Sequence, residues 1–406
     1  MQTDVIIIGG GLNGSVMALA LARAGLRSVL IDRLAVERRR DPAFDGRGYA
    51  LAHASKRLLA TLGLWEAVRD HAQPMLEIKV TDGRAGEGPS PFVLEFDHAE
   101  IEEGPMGYMV EDRHLRNAFL DAIEASDLIT PLTGASVVSH AVDEGHASVT
   151  LDTGDVIFGA VVIGADGLHS PTAKRAGIGH MKWDYGQTAL VCAIAHEKSH
   201  NGIAHQFFMP AGPLAILPLT GNRASIVWTE TEREAKRIEG LDDAGYLDVL
   251  RPRVGDFLGP IALAGTRFTY PLSLSLAHKF VTPRVALLGD AAHRVHPIAG
   301  QGLNAGLKDI AALAEVLTLA HRRGEDIGRL DVLERYQQWR RFDTAALALA
   351  TDAFNRLFSN DNSLLRLGRD LGLGLVNALP AVRRGFIREA AGLTGDLPKL
   401  LQGKPI

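Results

Sequence analysis

Residues 4–33 read DVIIIGGGLNGSVMALALARAGLRSVLIDR, and this stretch decides the fold. Four apolar residues, Val5 to Ile8, run into Gly9-x-Gly11-x-x-Gly14. An Ala/Leu-rich helical pattern follows, and a second apolar run from Ser28 ends in Asp32, 18 positions after Gly14. A strand, a glycine turn, a helix and a second strand closed by an acid make up a dinucleotide-binding unit. Gly9 permits the tight turn, Gly11 lets a pyrophosphate approach the backbone, and Gly14 lets helix and strand pack closely. Asp32 can accept hydrogen bonds from an adenosine ribose. In a chain with 43 glycines a bare GxGxxG carries little weight; the whole unit carries much more.

The 406 residues give room for two domains, or for one large domain with an insertion. With 46% apolar and 22% charged residues the composition is that of an ordinary globular protein. A net charge of −5 gives no support to nucleic-acid binding, which calls for a clustered basic face. One cysteine, Cys192 in TALVCAIA, excludes an internal disulfide framework and a Cys-rich metal site. It reads as a small buried hydrophobe in a reducing compartment. No basic segment precedes Val5, and no apolar run reaches the roughly 18 residues of a spanning helix. The expected location is the cytoplasm, free or lying on the inner membrane face.

Outward from the first unit, Asp45-Gly46-Arg47-Gly48 precedes YALAHASKRLLATLGLW, a helical pattern with Leu51, Leu58, Leu59 and Leu62 apolar. Arg47 is either a solvated charge or a bidentate donor to phosphate. Strand patterns cover about 75–96, and residues 108–124 read as a helix. VIFGAVVIG then closes on a second turn, Ala165-Asp166-Gly167. Residues 183–275 are mostly strand-like runs, interrupted by one charged helical piece near Glu230 to Ile238, as expected of an inserted antiparallel sheet.

Residues 284–309, RVALLGDAAHRVHPIAGQGLNAGLKD, repeat the strand–turn–helix plan. A buried strand meets Gly289-Asp290, a loop holds Pro297, Gly300 and Gly302, and a helical pattern runs from Asn304 through Leu307, Ile310, Leu313 and Leu317. Such a helix start suits an anionic or hydrogen-bond-accepting group. A further helical stretch covers 333–358, and Leu364, Leu367, Leu371, Leu375 and Leu379 form an apolar stripe that Pro380 should end. Residues 356–406 hold eight Lys/Arg and four Asp/Glu, a net +4 that leaves −9 for the rest. This tail can pack on its own protein, on another subunit, or on anionic lipid.

The three turns GGGLNG, GADG and GDAAH, in that order, resemble the flavoprotein aromatic hydroxylases of the para-hydroxybenzoate hydroxylase fold. The run from His296 to Asp309, HPIAGQGLNAGLKD, is similar to the signature of the ubiquinone-biosynthesis hydroxylases. Arg47 before YALAHAS, Gly63-Leu64-Trp65, GPLAILPL at 212–219 and Val227-Trp228 support the match. The resemblance implies an α/β fold in which 1–75, 101–182 and 276–355 form a Rossmann-like FAD-binding domain. Residues 76–100 and 183–275 would form a mostly antiparallel substrate domain, and 356–406 a C-terminal amphipathic helical region. It also implies an FAD monooxygenase that hydroxylates the ring of a polyprenylated phenol with O2, through a flavin C4a-hydroperoxide. The protein then has to hold the flavin, exclude water and position the ring, which explains the absence of an acid–base pair or nucleophile from the sequence.

By the same resemblance Gly9, Gly11, Gly14 and Asp32 hold the ADP half, Arg47 the phosphates, and Asp166 belongs to the second turn. Asp290 meets the ribityl or pyrophosphate region. Amides of Leu303 and Asn304 would face the flavin pyrimidine carbonyl, where the positive end of a helix dipole stabilises negative charge on the reduced ring, with Gly302 beside them in the cofactor-binding loop. Pro297, Gly300, Gln301 and Gly302 would wall the site beside the flavin. His293 and His296 lack a third ligand nearby and read as structural or flavin-edge groups rather than a metal site. Two departures stand out. Ser170 is followed by Pro171-Thr172-Ala173-Lys174 where the family has an arginine, so Lys174 or Arg175 substitutes or the contact is absent. Asp32 replaces the usual glutamate. No second glycine fingerprint exists for a nicotinamide, so NADPH, NADH or a ferredoxin would act as a transient external donor. The alternatives are a flavin hydroxylase of another aromatic, a halogenase, or a flavin-binding assembly subunit of a quinone-biosynthesis complex. Trp65, Trp183, Trp228 and Trp339 are too scattered for a halogenase Trp-x-Trp box.

Overall fold

The computed structural model describes residues 1–86, 88–295, 300–358 and 379–406, with backbone only at 88–92 and 353–358. Strand Val5–Ile8, helix Leu12–Arg23 and strand Ser28–Asp32 form the opening unit. Their sheet runs, in lateral order, Val281–Thr282, Val285–Leu287, Val161–Gly164, Val5–Ile8, Ser28–Asp32, Ile129–Thr133. All neighbours are parallel except the Val281–Thr282 edge. VIII and VVIG are apolar at every position because both faces are covered, each by its own core cluster. Strands ending at Ile8, Gly164 and Leu287 are immediate neighbours, so the turns that follow them emerge side by side at one sheet edge. Ligands of open parallel sheets bind at such carboxyl edges.

A second, larger sheet is antiparallel throughout except where Ile203–Met209 runs parallel to Glu77–Arg84. Its central strands are Phe268–Ala277, His180–His196, Arg223–Thr231, Gly212–Leu219 and Ile203–Met209. One face buries Leu190, Cys192, Ile194, Phe207, Leu214, Ile216, Ile226 and Trp228 beneath two helices, Glu232–Glu239 and Asp243–Val254. Only the first helix was expected; Gly245 and Pro252 blur the period of the second. Burial pushes the Cys192 thiol up to about 11, as befits an inert packed side chain. The opposite face meets a small sheet, Gly48–Ala52, Gly107–Glu111 and Ala72–Met75, through Met75, Met109, Ala193, Ala204 and Leu219.

Two boundaries differ from the sequence pattern. Residues 48–52 and 107–111 are strands that pair with each other, and their helices begin only at His53 and Asp112. Pairing across 59 positions decides these segments, and a local window cannot register it. Pro380 also behaves differently: it opens helix Pro380–Ala390, at a position where its missing N–H costs nothing. This helix packs on the body through Ile387 against Ile101 and Met106. Arg383 and Arg388 pair with Glu100 and Glu103 at 2.8 and 3.0 Å. Leu364, Leu367, Leu371 and Leu375 lie outside the described residues. Among the described residues no helix is long and apolar enough to cross a membrane.

His205, beneath Phe257 at a ring distance of 4.4 Å, has its pKa depressed from 6.5 to about 4, by burial first and Lys79 second. The unfolded chain therefore binds this proton more readily. The stability contribution is full above pH 6.5 and is lost as the pH falls toward about 4. His205→Phe should flatten the decline of Tm across that window relative to the parent protein; an unchanged decline would contradict the assignment.

Candidate active site

At the first turn, a Cβ on Gly14 would lie 1.8 Å from the Gly9 carbonyl oxygen, so helix and turn touch where only hydrogen fits. Nothing lies within 4 Å of a Cβ built on Gly11, and this open side is where a phosphate could approach the backbone. Asp32 fixes the turn: its oxygens accept from Gly10 N and Leu34 N, both at 2.7 Å. Arg39, absent from the sequence reading, is buried against this loop and donates to the Gly10 carbonyl and, at 3.3 Å, to Ser15 Oγ. Burial lowers its pKa and Asp32 opposes that. The only prior signal was the run Arg38-Arg39-Arg40, whose last member pairs on the surface with Asp121 and Glu124.

The third turn is locked from below. Asp309, fully buried, accepts from Gly289 N at 3.0 Å, His293 Nε2 at 2.6 Å and Arg340 Nε at 2.9 Å. Burial alone would raise its pKa; His293 and Arg340 outweigh it and hold the carboxyl below the usual range. His293 is thus structural, and no group of three metal-ligating side chains occurs among the described residues. Asn13 wedges between the first and third turns: a Cβ on Gly289 or Gly306 would sit 2.3 or 2.5 Å from its Nδ2. Its Oδ1 is buried without a hydrogen-bond partner.

Helix Gln301–Arg322 starts from Gly300 in the left-handed region (φ 64°), with no side-chain cap and no acid in its first turn. It begins three residues earlier than Asn304. Gly302 and Leu303 therefore contribute amides that lack an intrahelical acceptor, whereas the Asn304 amide falls within the i→i−4 ladder. The Asn304 side chain is a clamp. Its Oδ1 accepts from Ala52 N at 2.9 Å and Ser55 Oγ at 2.7 Å, and its Nδ2 donates to Ala50 O at 2.8 Å and Gly300 O at 3.1 Å. Nothing lies within 4 Å of a Cβ built on Gly302. Gln301 is half-buried beside it, and Pro297 and His296 lie outside the described residues.

Asp290 opens toward solvent from within the cleft, and the enclosing protein raises its carboxyl pKa against the pull of His293 and Arg294. Burial and Asp112 raise the nearby Tyr49 phenol, with Asp290 a smaller contributor. Arg47 is held at 2.7 Å by Asp45 and 3.4 Å by Asp112, with its guanidinium 5.8 Å from the Phe268 ring. Asp166 spends both oxygens on its own loop, accepting from Ser170 Oγ and from Thr172 N and Oγ1 at 2.9 and 2.7 Å. It shapes the second turn rather than offering a free carboxylate. Arg175 reaches the Val137 carbonyl at 2.5 Å, and Lys174 is exposed.

These features suit FAD. An open glycine at the first turn, an uncapped helix start with a bare Gly302 surface and an orphaned Asn13 oxygen line one edge of the parallel sheet. The model of the FAD binding domain family matches residues 2–349. The chain is 43% identical to ubiquinone hydroxylase UbiL of Rhodospirillum rubrum, covering 99% of this chain and 93% of that one. It is 34% identical to 3-demethoxyubiquinol 3-hydroxylase of Escherichia coli, covering 96% and 99%. The structure of p-nitrophenol 4-monooxygenase PnpA from Pseudomonas putida superposes with a TM-score of 0.81 over 97% of this chain and 99% of that chain. At 19% identity that likeness shows the fold alone. The chain belongs to the FAD binding domain family and is an FAD-dependent aromatic hydroxylase.

Asp309→Asn should cost about 3–5 kcal/mol, because Arg340 is left buried beside a neutral amide. The Asp309 contribution is present above the ordinary pKa of 3.8 and is lost as the pH falls through its lower folded value, so the variant should also lack this acid limb. Urea denaturation across the acid range checks both; parent-like stability would contradict the pinning role.

Proposed function

We propose that the protein hydroxylates the aromatic ring of a polyprenylated phenol in ubiquinone biosynthesis, using FAD, O2 and an external reductant. The carrying observation is the open start of helix Gln301–Arg322, clamped by Asn304 and locked by Asp309 beside the first glycine turn. UbiL and the Escherichia coli enzyme, similar along nearly their whole length, supply the pathway.

Bound FAD supplies oxygen activation. In this reading Gly9, Gly11, Gly14 and Asp32 take the ADP half, Arg47 takes the phosphates, Arg39 braces the first turn through the Gly10 carbonyl, and Asp290 takes the ribityl side. Amides of Gly302 and Leu303 meet the pyrimidine carbonyl and stabilise charge on the reduced ring. Gly300 and Gln301 wall the ring, Asp166 holds the second turn in shape, and the face of the large sheet opposite Trp228 forms the substrate chamber. NADPH, NADH or a ferredoxin reaches the flavin transiently. In this reading the C-terminal tail meets the bilayer that holds the apolar substrate, with Val382 and Phe386 of helix Pro380–Ala390 exposed.

Incubating the FAD-loaded protein with reductant, O2 and prenylated phenols should yield a product heavier by about 16 mass units, one oxygen atom. Production of H2O2 alone with every such phenol would contradict the reading.

A further inference from the structure

The registers of the large sheet place Phe268, Val191, Val227, Ala215, Gln206 and Val80 in one lateral row across six strands. Directly paired residues share a sheet face, and this row lies opposite the face that buries Trp228, Ile216 and Phe207. All six members are half-exposed. In the flanking rows on the same face, Ala189, Thr229, Pro213 and Phe208 on one side and Ala193, Ser225 and Ala204 on the other are buried, while Leu217 is half-buried and Tyr270, beside Ala189, is exposed. The row is therefore the more accessible line across this face, and Gln206 is its only polar member.

The row is linked to the Gly300 turn through one shared apolar cluster. A Cβ on Gly300 would lie 2.9 Å from the Ala50 Cβ, and Ala50 and Leu217 both pack against the cluster of Met75, Met109, Ala193, Ala204 and Leu219. Leu217 shares its strand with Ala215, the direct cross-strand neighbour of Gln206. The Gln206 amide nitrogen is itself buried and has no hydrogen-bond partner. A buried amide donor left unmade is unfavourable, so it discriminates strongly for a ligand that brings an acceptor.

We propose that Gln206 is a specificity-determining residue that donates a hydrogen bond to an oxygen substituent of the substrate ring, on an otherwise apolar row of Val191, Val227 and Ala215. This deepens the phenol-hydroxylase reading and rests on it. The apolar row selects the body of a prenylated aromatic, and the single amide fixes its rotation about the ring axis relative to the flavin. The same bond decides which ring carbon is presented.

The test compares the parent holoenzyme with Gln206→Leu and Gln206→Asn on prenylated phenols with and without a ring methoxy group. For Gln206→Leu the expected result is a roughly ten- to hundredfold fall in kcat/KM. A larger share of the reductant should be diverted to H2O2, while FAD affinity and Tm stay at parent values, because no protein–protein hydrogen bond is removed. Gln206→Asn should recover part of the coupling. If the loss is confined to methoxylated phenols, the bonded oxygen is the methoxy; if it is equal across phenols, the bonded oxygen is the hydroxyl. Parent-like kinetics and coupling in Gln206→Leu, or losses that follow a fallen Tm or FAD affinity, would overturn the proposal. A parent enzyme inert to every phenol would instead overturn the underlying reading of function.

Discussion

A carboxylate with no access to water is tolerable only when charge and hydrogen bonds compensate it fully, and Asp309 meets that condition by joining three separate segments. Gly289 N belongs to the third turn, His293 to the strand piece beyond it, and Arg340 to the long helix Leu330–Phe358. The carboxylate itself sits in the third turn of helix Gln301–Arg322, so the start of that helix cannot drift relative to Gly289. Asn304 then fixes the helix start to Ala50, Ala52 and Ser55, and Asn13 fills the gap to the first turn. A cleft lined mostly by glycine would otherwise have little to define its shape. Here polar side chains behind the surface define it and leave the surface bare.

This arrangement accounts for what the site lacks among the described residues. Oxygen transfer from a flavin needs a dry, shaped chamber and a stabilised reduced ring, not a nucleophile or a proton-shuttling pair. An uncapped helix start with no acid in its first turn supplies positive potential without a charged side chain that would draw in water. The parallel sheet contributes by strand order alone: adjacent strands deliver three turns to one edge. On the face opposite Trp228 the large sheet carries a half-buried row that is apolar except at Gln206.

Much of this was legible in the sequence because it is local. The strand–glycine–helix unit, the three glycine–acid turns and the inserted antiparallel runs each carry a short-range pattern, and the fold follows their order. The features that escaped depend on distant partners. Residues 48–52 become strand through pairing with 107–111, and the helix expected from Asn304 starts at Gln301 because Gly300 can adopt a positive φ. Arg39 and Asp309 looked like members of ordinary charged stretches, and only burial separates them from their neighbours. Asp166 and Asn304 hold the site together through side-chain bonds within the protein, a use that motif matching does not distinguish from ligand contact. Gln206 could not be singled out before the register of six strands was known.

The most direct measurement is the two-electron reduction potential of FAD bound to the protein, set against that of free FAD. A helix start is worth about 1–2 kcal/mol to a neighbouring negative charge, and about 30 mV corresponds to 1.4 kcal/mol for a two-electron couple. The expected result is a bound potential higher than free FAD by tens of millivolts, with the reduced flavin anionic at neutral pH. A bound potential equal to or below that of free FAD would contradict the placement of the flavin ring against Gly302 and Leu303.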